Sequence, residues 1–280
     1  RREPCRLPVL LLASLELYAA EPKHPLYLRY LASVKLLKVW TGMRYHDTLG
    51  APPHKITKFT GHLRVTIVRS KTSGPDRKQK LMHGFVKEDA HIAMPGWMEL
   101  LAECHEDHEG FGYPRDFLVP LPSAGFTGVA HRRAEHADML ALSRTLFEDL
   151  RAPTWIRSPS GKIQWRESPS PLLEPGAADV WSEHSERKVM VSLAAARGIG
   201  RERRAHLGRW AEAEGRGERP YIQTHANIVT DIQAEIMRSW SYLASWYGEG
   251  DVIERIKEKM GGCINAGALD KMIGNLDFTG

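Results

Sequence analysis

Apolar residues recur at intervals of three and four positions along most of this chain, and in one short stretch they alternate with polar residues instead. The first pattern is typical of helices that bury one face, and the second of half-buried strands. Helices are predicted over residues 7–19, 26–40, 98–104, 134–150, 185–197, 201–207, 226–246 and 251–260. The second of these runs directly into Gly42, which places Arg44 just beyond its end.

The alternating stretch covers residues 62–70 and is rich in β-branched side chains, which favours a strand. Residues 72–76 have the composition of a turn, and residues 81–86 predict a strand that returns along the first. Lys71 is therefore expected near the tip of a hairpin.

A different composition marks residues 151–179, which are rich in Pro, Ser and Gly. They predict a long loop with, at most, a small strand over residues 163–165. With 42% apolar and 26% charged residues, the chain of 280 residues can bury a substantial core. We expect a single domain over residues 1–280, mainly α with a small antiparallel β-sheet.

Targeting and metal-binding signals are weak. The apolar run over residues 7–20 imitates a secretion signal, but Glu16 interrupts it, and no run approaches the ~20 apolar residues of a membrane span. The three cysteines are widely separated, so they do not indicate a disulfide framework or a cysteine-based zinc site, and a reducing compartment fits best. Four histidines without partners at ligand spacing are expected to be exposed polar residues rather than metal ligands: His105, His108, His131 and His136.

The net charge of +5 and the pI near 9.1 are too mild to identify a nucleic-acid-binding protein. Basic residues nevertheless form two clusters that could neutralise several phosphates. The first contains Arg64, Arg69, Lys71, Arg77, Lys78 and Lys80, and the second contains Arg197, Arg201, Arg203, Arg204 and Arg209. Taken alone, both clusters are equally compatible with solvated helix faces and hairpin tips.

Two short motifs carry the most specific signal in the chain. The segment Gly42-Met43-Arg44-Tyr45-His46-Asp47 resembles the first arginine motif of the tyrosine recombinases, the phage integrase family, with its glycine two residues before the arginine and its acid three residues after. The segment His184-Ser185-Glu186-Arg187 resembles the His-x-x-Arg box of that family, and Tyr221 follows Arg187 by 34 residues, where the family has its nucleophile. The resemblance covers residues 26–225 and implies the integrase catalytic-domain fold.

The resemblance also implies a role for each residue. Arg44 and Arg187 would clamp the scissile phosphate, because guanidinium groups bind phosphate oxygens in a bidentate fork. Lys71 would protonate the departing 5′ oxygen, and His184 would assist proton handling or donate a hydrogen bond to the phosphate. Tyr221 would attack the phosphorus, and the resulting 3′-phosphotyrosine would conserve the bond energy. Neither ATP, a metal nor another cofactor is then required.

The fifth position of the family pattern departs from the usual residue. Most relatives carry a histidine after the Leu-Gly pair that ends here at Gly208, whereas this chain has Arg209 and then Trp210. We assign the position to Trp210, whose indole N–H can donate one hydrogen bond, and keep Arg209 as its rival. The interval of 113 residues from Lys71 to His184 is also longer than the family pattern leads us to expect.

The function implied is site-specific recombination of duplex DNA by a homodimer or homotetramer, in a phage or mobile element, within the cytoplasm or, in a eukaryote, the nucleus. The separate N-terminal DNA-clamping domain of the family is expected to be missing from this chain, and helices over residues 226–260 could be exchanged between protomers. Two alternatives remain open. One is a type IB topoisomerase that relaxes supercoils, and the other is a catalytically silent relative that only binds DNA.

Overall fold

The structure is a computed structural model and describes residues 5–69, 81–106, 110–160, 163–208 and 218–242. It is a mixed α+β fold in which helices dominate and the sheets are small and antiparallel. The helices are α1 Val9–Ala20, α2 Leu26–Thr41, α3 Tyr45–Thr48, α4 Trp97–Glu106, α5 His136–Asp149, α6 Arg187–Ala196, α7 Arg201–Leu207 and α8 Glu218–Tyr242. The strands are β1 Ile56–Phe59, β2 His62–Ile67, β3 Met82–Lys87, β4 Pro120–Pro122, β5 Val129–Arg133, β6 Arg151–Arg157 and β7 Ile163–Pro171.

Helix α2 is the centre of the fold. It packs against α1, α4, α5, α6 and β3, and nearly all of its residues are buried. A helix that is buried all round normally carries apolar residues on every face. Lys35 and Lys38 are the buried charged exceptions, the first near the middle of α2 and the second in its last turn. Their charges therefore need partners inside the protein.

The three-stranded sheet follows the order β1-β2-β3 and confirms the predicted strand pair. Val65 of β2 lies opposite Ile56 of β1 on one side and Gly84 of β3 on the other. A Cβ atom at Gly84 would lie 2.8 Å from the Cβ of Thr41, so the glycine allows β3 to approach the end of α2 closely. The predicted turn and Lys71 lie outside the described residues.

The prediction of a loop over residues 151–179 is wrong for most of that segment, because β6 and β7 form an antiparallel hairpin there. Thr154 pairs with Arg166, and the register shifts between Arg151 and Pro153. Prolines are tolerated in such a ribbon where the ladder is interrupted or lies at an edge, so the composition was misleading. The Ser14 hydroxyl donates to the Arg151 carbonyl at 2.9 Å and ties the hairpin to α1.

The starts of α6 and α8, the helices next to the candidate residues, also differ from the prediction. Helix α6 begins at Arg187 rather than at residue 185, so His184 lies in the turn that precedes it. Helix α8 begins at Glu218 rather than at residue 226, and Pro220 occupies its first turn, where a missing N–H breaks no helical bond. The predicted continuation of this helix beyond Tyr242 and the helix over residues 251–260 lie outside the described part of the chain.

Glu16, the residue that interrupts the first apolar run, is a buried anchor. Its carboxyl group accepts hydrogen bonds from the backbone N–H groups of Ile92, Ala93 and Met94, at 2.7–3.0 Å. Burial raises the pKa of Glu16 to about 8, although the three backbone donors act in the opposite direction. The carboxyl group thus fixes the segment between β3 and α4 onto α1.

Replacing Glu16 with leucine is expected to lower the free energy of unfolding by about 2–3 kcal/mol, because it leaves three backbone N–H groups without their acceptor. Urea denaturation of both proteins measures the difference. Glu16→Gln is the matched control, since it keeps an oxygen acceptor of the same reach and should cost less. Equal losses in the two variants would contradict the anchoring role of the oxygen atoms.

Candidate functional site

The candidate site begins at the turn that ends α2. Gly42 has φ of 64°, a left-handed conformation that glycine adopts without strain. A Cβ atom on Gly42 would lie 2.7 Å from the carbonyl oxygen of Leu207, at the end of α7. Only glycine therefore allows the two helix ends to meet here, which gives a physical reason for the glycine of the first motif.

Arg44 follows this turn and directly precedes α3. The buried carboxylate of Asp47 accepts the backbone N–H of Arg44 at 2.8 Å, and the backbone N–H of Asp47 donates to the carbonyl oxygen of Arg44 at 3.0 Å. This reciprocal pair fixes the backbone from which the half-buried arginine side chain extends. The acid three positions after the arginine is thus a structural partner of the arginine backbone.

Arg187 joins segments that are far apart in sequence. Its Nη1 donates to the carbonyl oxygen of Gly42 at 2.7 Å, and its Nη2 donates to the carbonyl oxygen of Gly208 at 2.5 Å. The side chain is half-buried. The His-x-x-Arg box is therefore held at once to the segment that leads into Arg44 and to the segment that leads into residues 209–210.

His184 lies in a compact turn before α6. The backbone N–H of Ser182 donates to the Ser185 hydroxyl at 3.0 Å, and the backbone N–H of Ser185 donates to the Ser182 carbonyl at 2.9 Å. Partial burial, followed by the charges of Arg44 and Lys38, lowers the pKa of His184. The imidazole is thus predominantly neutral at neutral pH, and it lies close enough to Arg44 to sense its charge.

A buried network of charges, which no pattern in the sequence predicted, lies beneath the His-x-x-Arg turn. The Lys35 ammonium contacts Glu183 at 2.5 Å and Glu186 at 2.7 Å. The Lys38 ammonium donates to Glu183 and lies 3.3 Å from Glu186, while the Ser143 hydroxyl donates to Glu183 at 2.7 Å. The available signal was two lysines three positions apart in the otherwise apolar run over residues 34–40.

The contacts of this network shift the pKa values of Glu183 and Lys38. Burial alone would raise the pKa of Glu183, but the charges of Lys35 and Lys38 outweigh it and lower that pKa. Burial would lower the pKa of Lys38, but Glu183 and Glu186 outweigh it and raise that pKa. Glu183 is therefore held as a carboxylate and Lys38 as an ammonium group inside the protein.

The candidate nucleophile lies near the start of α8. Position 221 is in the first turn of that helix, and its side chain lies outside the description, as do the whole of Lys71, Arg209 and Trp210. One helical turn later, the buried His225 contacts the carbonyl oxygen of His206 in α7 through Nε2 at 3.2 Å. The backbone at position 221 is thus brought toward the helix end whose Gly208 binds Arg187.

The described basic residues are only partly available to a polyanion. Arg69 pairs with Asp116 at 3.6 Å, and Arg203 lies 3.8 Å from Glu235. Arg197 and Arg201 are exposed on either side of the turn between α6 and α7. The second cluster therefore presents cationic groups next to the end of the helix that Arg187 begins.

The prediction that the four histidines are exposed is wrong for His105. His105 packs against Tyr30, whose hydroxyl lies 3.2 Å from its Nε2, and burial, with Arg115 nearby, lowers the pKa of His105 to about 3. His131 and His136 are exposed, and His108 lies outside the described residues. Among the described residues there is no group of three or more His, Cys, Asp or Glu that could hold a metal ion.

A cavity of about 680 Å³ lies between the three-stranded sheet and α4. Its walls are largely apolar and include Ile56, Leu63, Met98 and His105. Arg44, His184 and Arg187 do not line it. The cavity and the candidate site are therefore separate features of the described structure.

No family model, curated protein or solved structure matches this chain. Assignment to a family therefore depends on the residues described above. In the described part of the chain, no helix combines the length and apolar character needed to cross a membrane.

Proposed function

We propose that this chain is the catalytic domain of a tyrosine recombinase, which cleaves and rejoins strands of duplex DNA through a 3′-phosphotyrosine intermediate. The observation that carries the proposal is the bridge from Arg187 to the carbonyl groups of Gly42 and Gly208. It joins three segments that the resemblance requires to meet, although Arg187 is 145 residues from Gly42 and 21 residues from Gly208. The integrase catalytic-domain fold is part of the same proposal.

The proposed chemistry follows from the residue types assigned to the site. Phosphoryl transfer is catalysed mainly by positioning and by neutralising charge on the non-bridging oxygens. Arg44 and Arg187 would supply the two positive charges, while the neutral His184 would donate or accept a hydrogen bond at the phosphate. Tyr221 would attack the phosphorus, and Lys71 would donate a proton to the departing 5′ oxygen. Trp210, or Arg209 in its place, would add one further N–H donor.

A silent DNA-binding relative is the second candidate, and the engagement of Arg187 favours it. Its Nη1 and Nη2 groups each donate to a main-chain carbonyl, so this guanidinium has a structural role before any phosphate binds. A guanidinium has five N–H donors in total, so these two bonds do not by themselves exclude a phosphate contact. Turnover therefore distinguishes the two functions.

Incubation with nicked suicide duplexes that carry candidate recombination sites tests the proposal. A recombinase becomes trapped on the DNA, because loss of the short fragment beyond the nick removes the hydroxyl that would reverse the reaction. Denaturing gels should then show a covalent protein–DNA species. Salt-dependent binding without that species would support the silent relative, and relaxation of supercoils without strand exchange would support a topoisomerase.

Arg201→Ala is expected to weaken DNA binding by a similar amount on all sequences and to reduce the slope of log K against log salt concentration by about 1, because one phosphate contact is lost. Fluorescence anisotropy at several salt concentrations measures the slope. Arg144→Ala, on α5 and paired with Asp179, is the control and should leave the slope unchanged. An unchanged slope in Arg201→Ala would place the DNA away from α7.

A further inference from the structure

The His-x-x-Arg turn buries Glu183, Ser185 and Glu186 and turns its two candidate site residues toward the surface. Glu183 and Glu186 are each 1% exposed, whereas His184 is exposed and Arg187 is half-buried. Neighbouring positions in one tight turn cannot reorient independently, since they share a backbone whose dihedral angles are restricted. Holding the two glutamates therefore also holds the directions of the histidine and the arginine.

Both glutamates are held by the same helix. Lys35 contacts each of them, at 2.5 Å and 2.7 Å, and Lys38 contacts each of them as well. Four contacts between two pairs of residues resist both sliding and rotation of the turn over α2. Hydrogen bonds are directional, so they define this register more sharply than apolar packing of the same area would.

The same helix leads into the other half of the candidate site. Gly42, at the end of α2, accepts a hydrogen bond from Arg187, and Arg44 follows two residues later. We propose that Lys35 and Lys38 are positioning residues, which hold His184 and Arg187 in register with Arg44 through their contacts with Glu183 and Glu186. This inference rests on the proposed recombinase function for its catalytic consequence.

Stability alone does not account for the network. Burying four charges carries a desolvation penalty that well-packed apolar residues avoid, and replacing such a network with apolar residues is often neutral or stabilising. Oε2 of Glu186 is buried without a hydrogen-bond partner among the described residues, which adds to the cost. An arrangement that is costly but geometrically restrictive fits a positioning role better than a purely stabilising one.

The double variant Lys38→Met/Glu183→Gln tests the proposal, because it removes one charge of each sign and leaves Lys35 and Glu186 in contact. Formation of the covalent species on a nicked suicide duplex is expected to slow by at least about tenfold, with DNA affinity unchanged, since small misplacements of catalytic groups are costly. The control is Arg144→Met/Asp179→Asn, which removes an exposed pair at 2.5 Å and should keep the wild-type rate. A wild-type rate in the buried variant would overturn the proposal.

Lys38→Arg keeps the test decisive if the double variant does not fold. It preserves the charge but replaces a compact ammonium with a larger planar group, so a cooperatively folded protein with a displaced turn is expected. Thermal unfolding confirms the fold before rates are compared. Slower formation of the covalent species supports the proposal, and the wild-type rate contradicts it.

A second readout does not depend on catalysis. The imidazole signal of His184, assigned in NMR spectra by its loss in His184→Gln, should move in the buried double variant and stay in place in the surface control. Partial burial, Arg44, Lys38 and the nearby His136 lower the pKa of His184, and Glu186 raises it. The double variant removes the Lys38 charge, which lowers this pKa, together with the adjacent Glu183 carboxylate, so the signal of His184 is expected to move. An unmoved signal with an unchanged titration would overturn the positioning role.

The two readouts separate the possible failures. If wild-type protein forms no covalent species on any suicide duplex, the recombinase function fails, while the NMR comparison still decides whether the lysines orient His184. If wild-type protein forms that species and the buried variant forms it equally fast, the function stands and the positioning role fails.

Discussion

Tyr221→Phe is expected to abolish the covalent protein–DNA species while leaving affinity for DNA nearly unchanged. The substitution removes a single oxygen atom, and that atom is the proposed nucleophile. Phenylalanine keeps the aromatic ring and adds no charge, so DNA binding should not change. Suicide duplexes followed by denaturing gels measure the covalent species, and anisotropy measures affinity.

Tyr113→Phe is the matched control for this experiment. The Tyr113 hydroxyl is buried and has no hydrogen-bond partner among the described residues, so its removal should affect neither stability nor cleavage. A covalent species that persists in Tyr221→Phe would assign the nucleophile to another residue. Loss of that species in both variants would show that the assay responds to tyrosine removal in general.

Arg187→Ala is expected to slow cleavage by at least about 1,000-fold, because an arginine that neutralises transition-state charge in phosphoryl transfer contributes on that scale. Single-turnover kinetics on suicide duplexes measures the rate. A loss smaller than about tenfold would remove Arg187 from the phosphate clamp.

Arg187 also stabilises the fold through its hydrogen bonds, so the free energy of unfolding of each variant must be measured together with its cleavage rate. Alanine removes two hydrogen bonds from a charged donor to the carbonyl groups of Gly42 and Gly208, each worth about 1.5–3 kcal/mol. Arg187→Lys keeps the charge but cannot reach both carbonyl groups with a fork. If the lysine variant regains stability and not cleavage, the guanidinium acts on the phosphate; if both recover together, its role is structural.

Helical periodicity identified most of the fold correctly. The central helix, the helices around it and the strand pair β2–β3 all depend on apolar residues whose spacing is local and visible in the sequence. The hairpin formed by β6 and β7 was missed because Pro, Ser and Gly are frequent across residues 151–179, while its pairing joins residues 6–20 positions apart and is supported by α1. Such tertiary support overrides local propensity.

The candidate site was predictable only where a motif is contiguous. Gly42, Arg44 and Asp47 appear together in the sequence, and their geometry has a local explanation. The contact between Lys35 and Glu183 spans 148 residues, so no local pattern could reveal it. The start of α8 was predicted eight residues too late, although the first turn of a helix accommodates a proline such as Pro220.

The burial of α2 on nearly all sides has a consequence for how any large ligand is recognised. A helix without a solvent-facing side presents almost no side chains to an incoming molecule. Helix α2 therefore supports the segments around it and does not contact a ligand itself. Any selectivity for such a ligand must then come from the segments packed around α2. A change of ligand would therefore act through those segments, within the limits set by their contacts with α2.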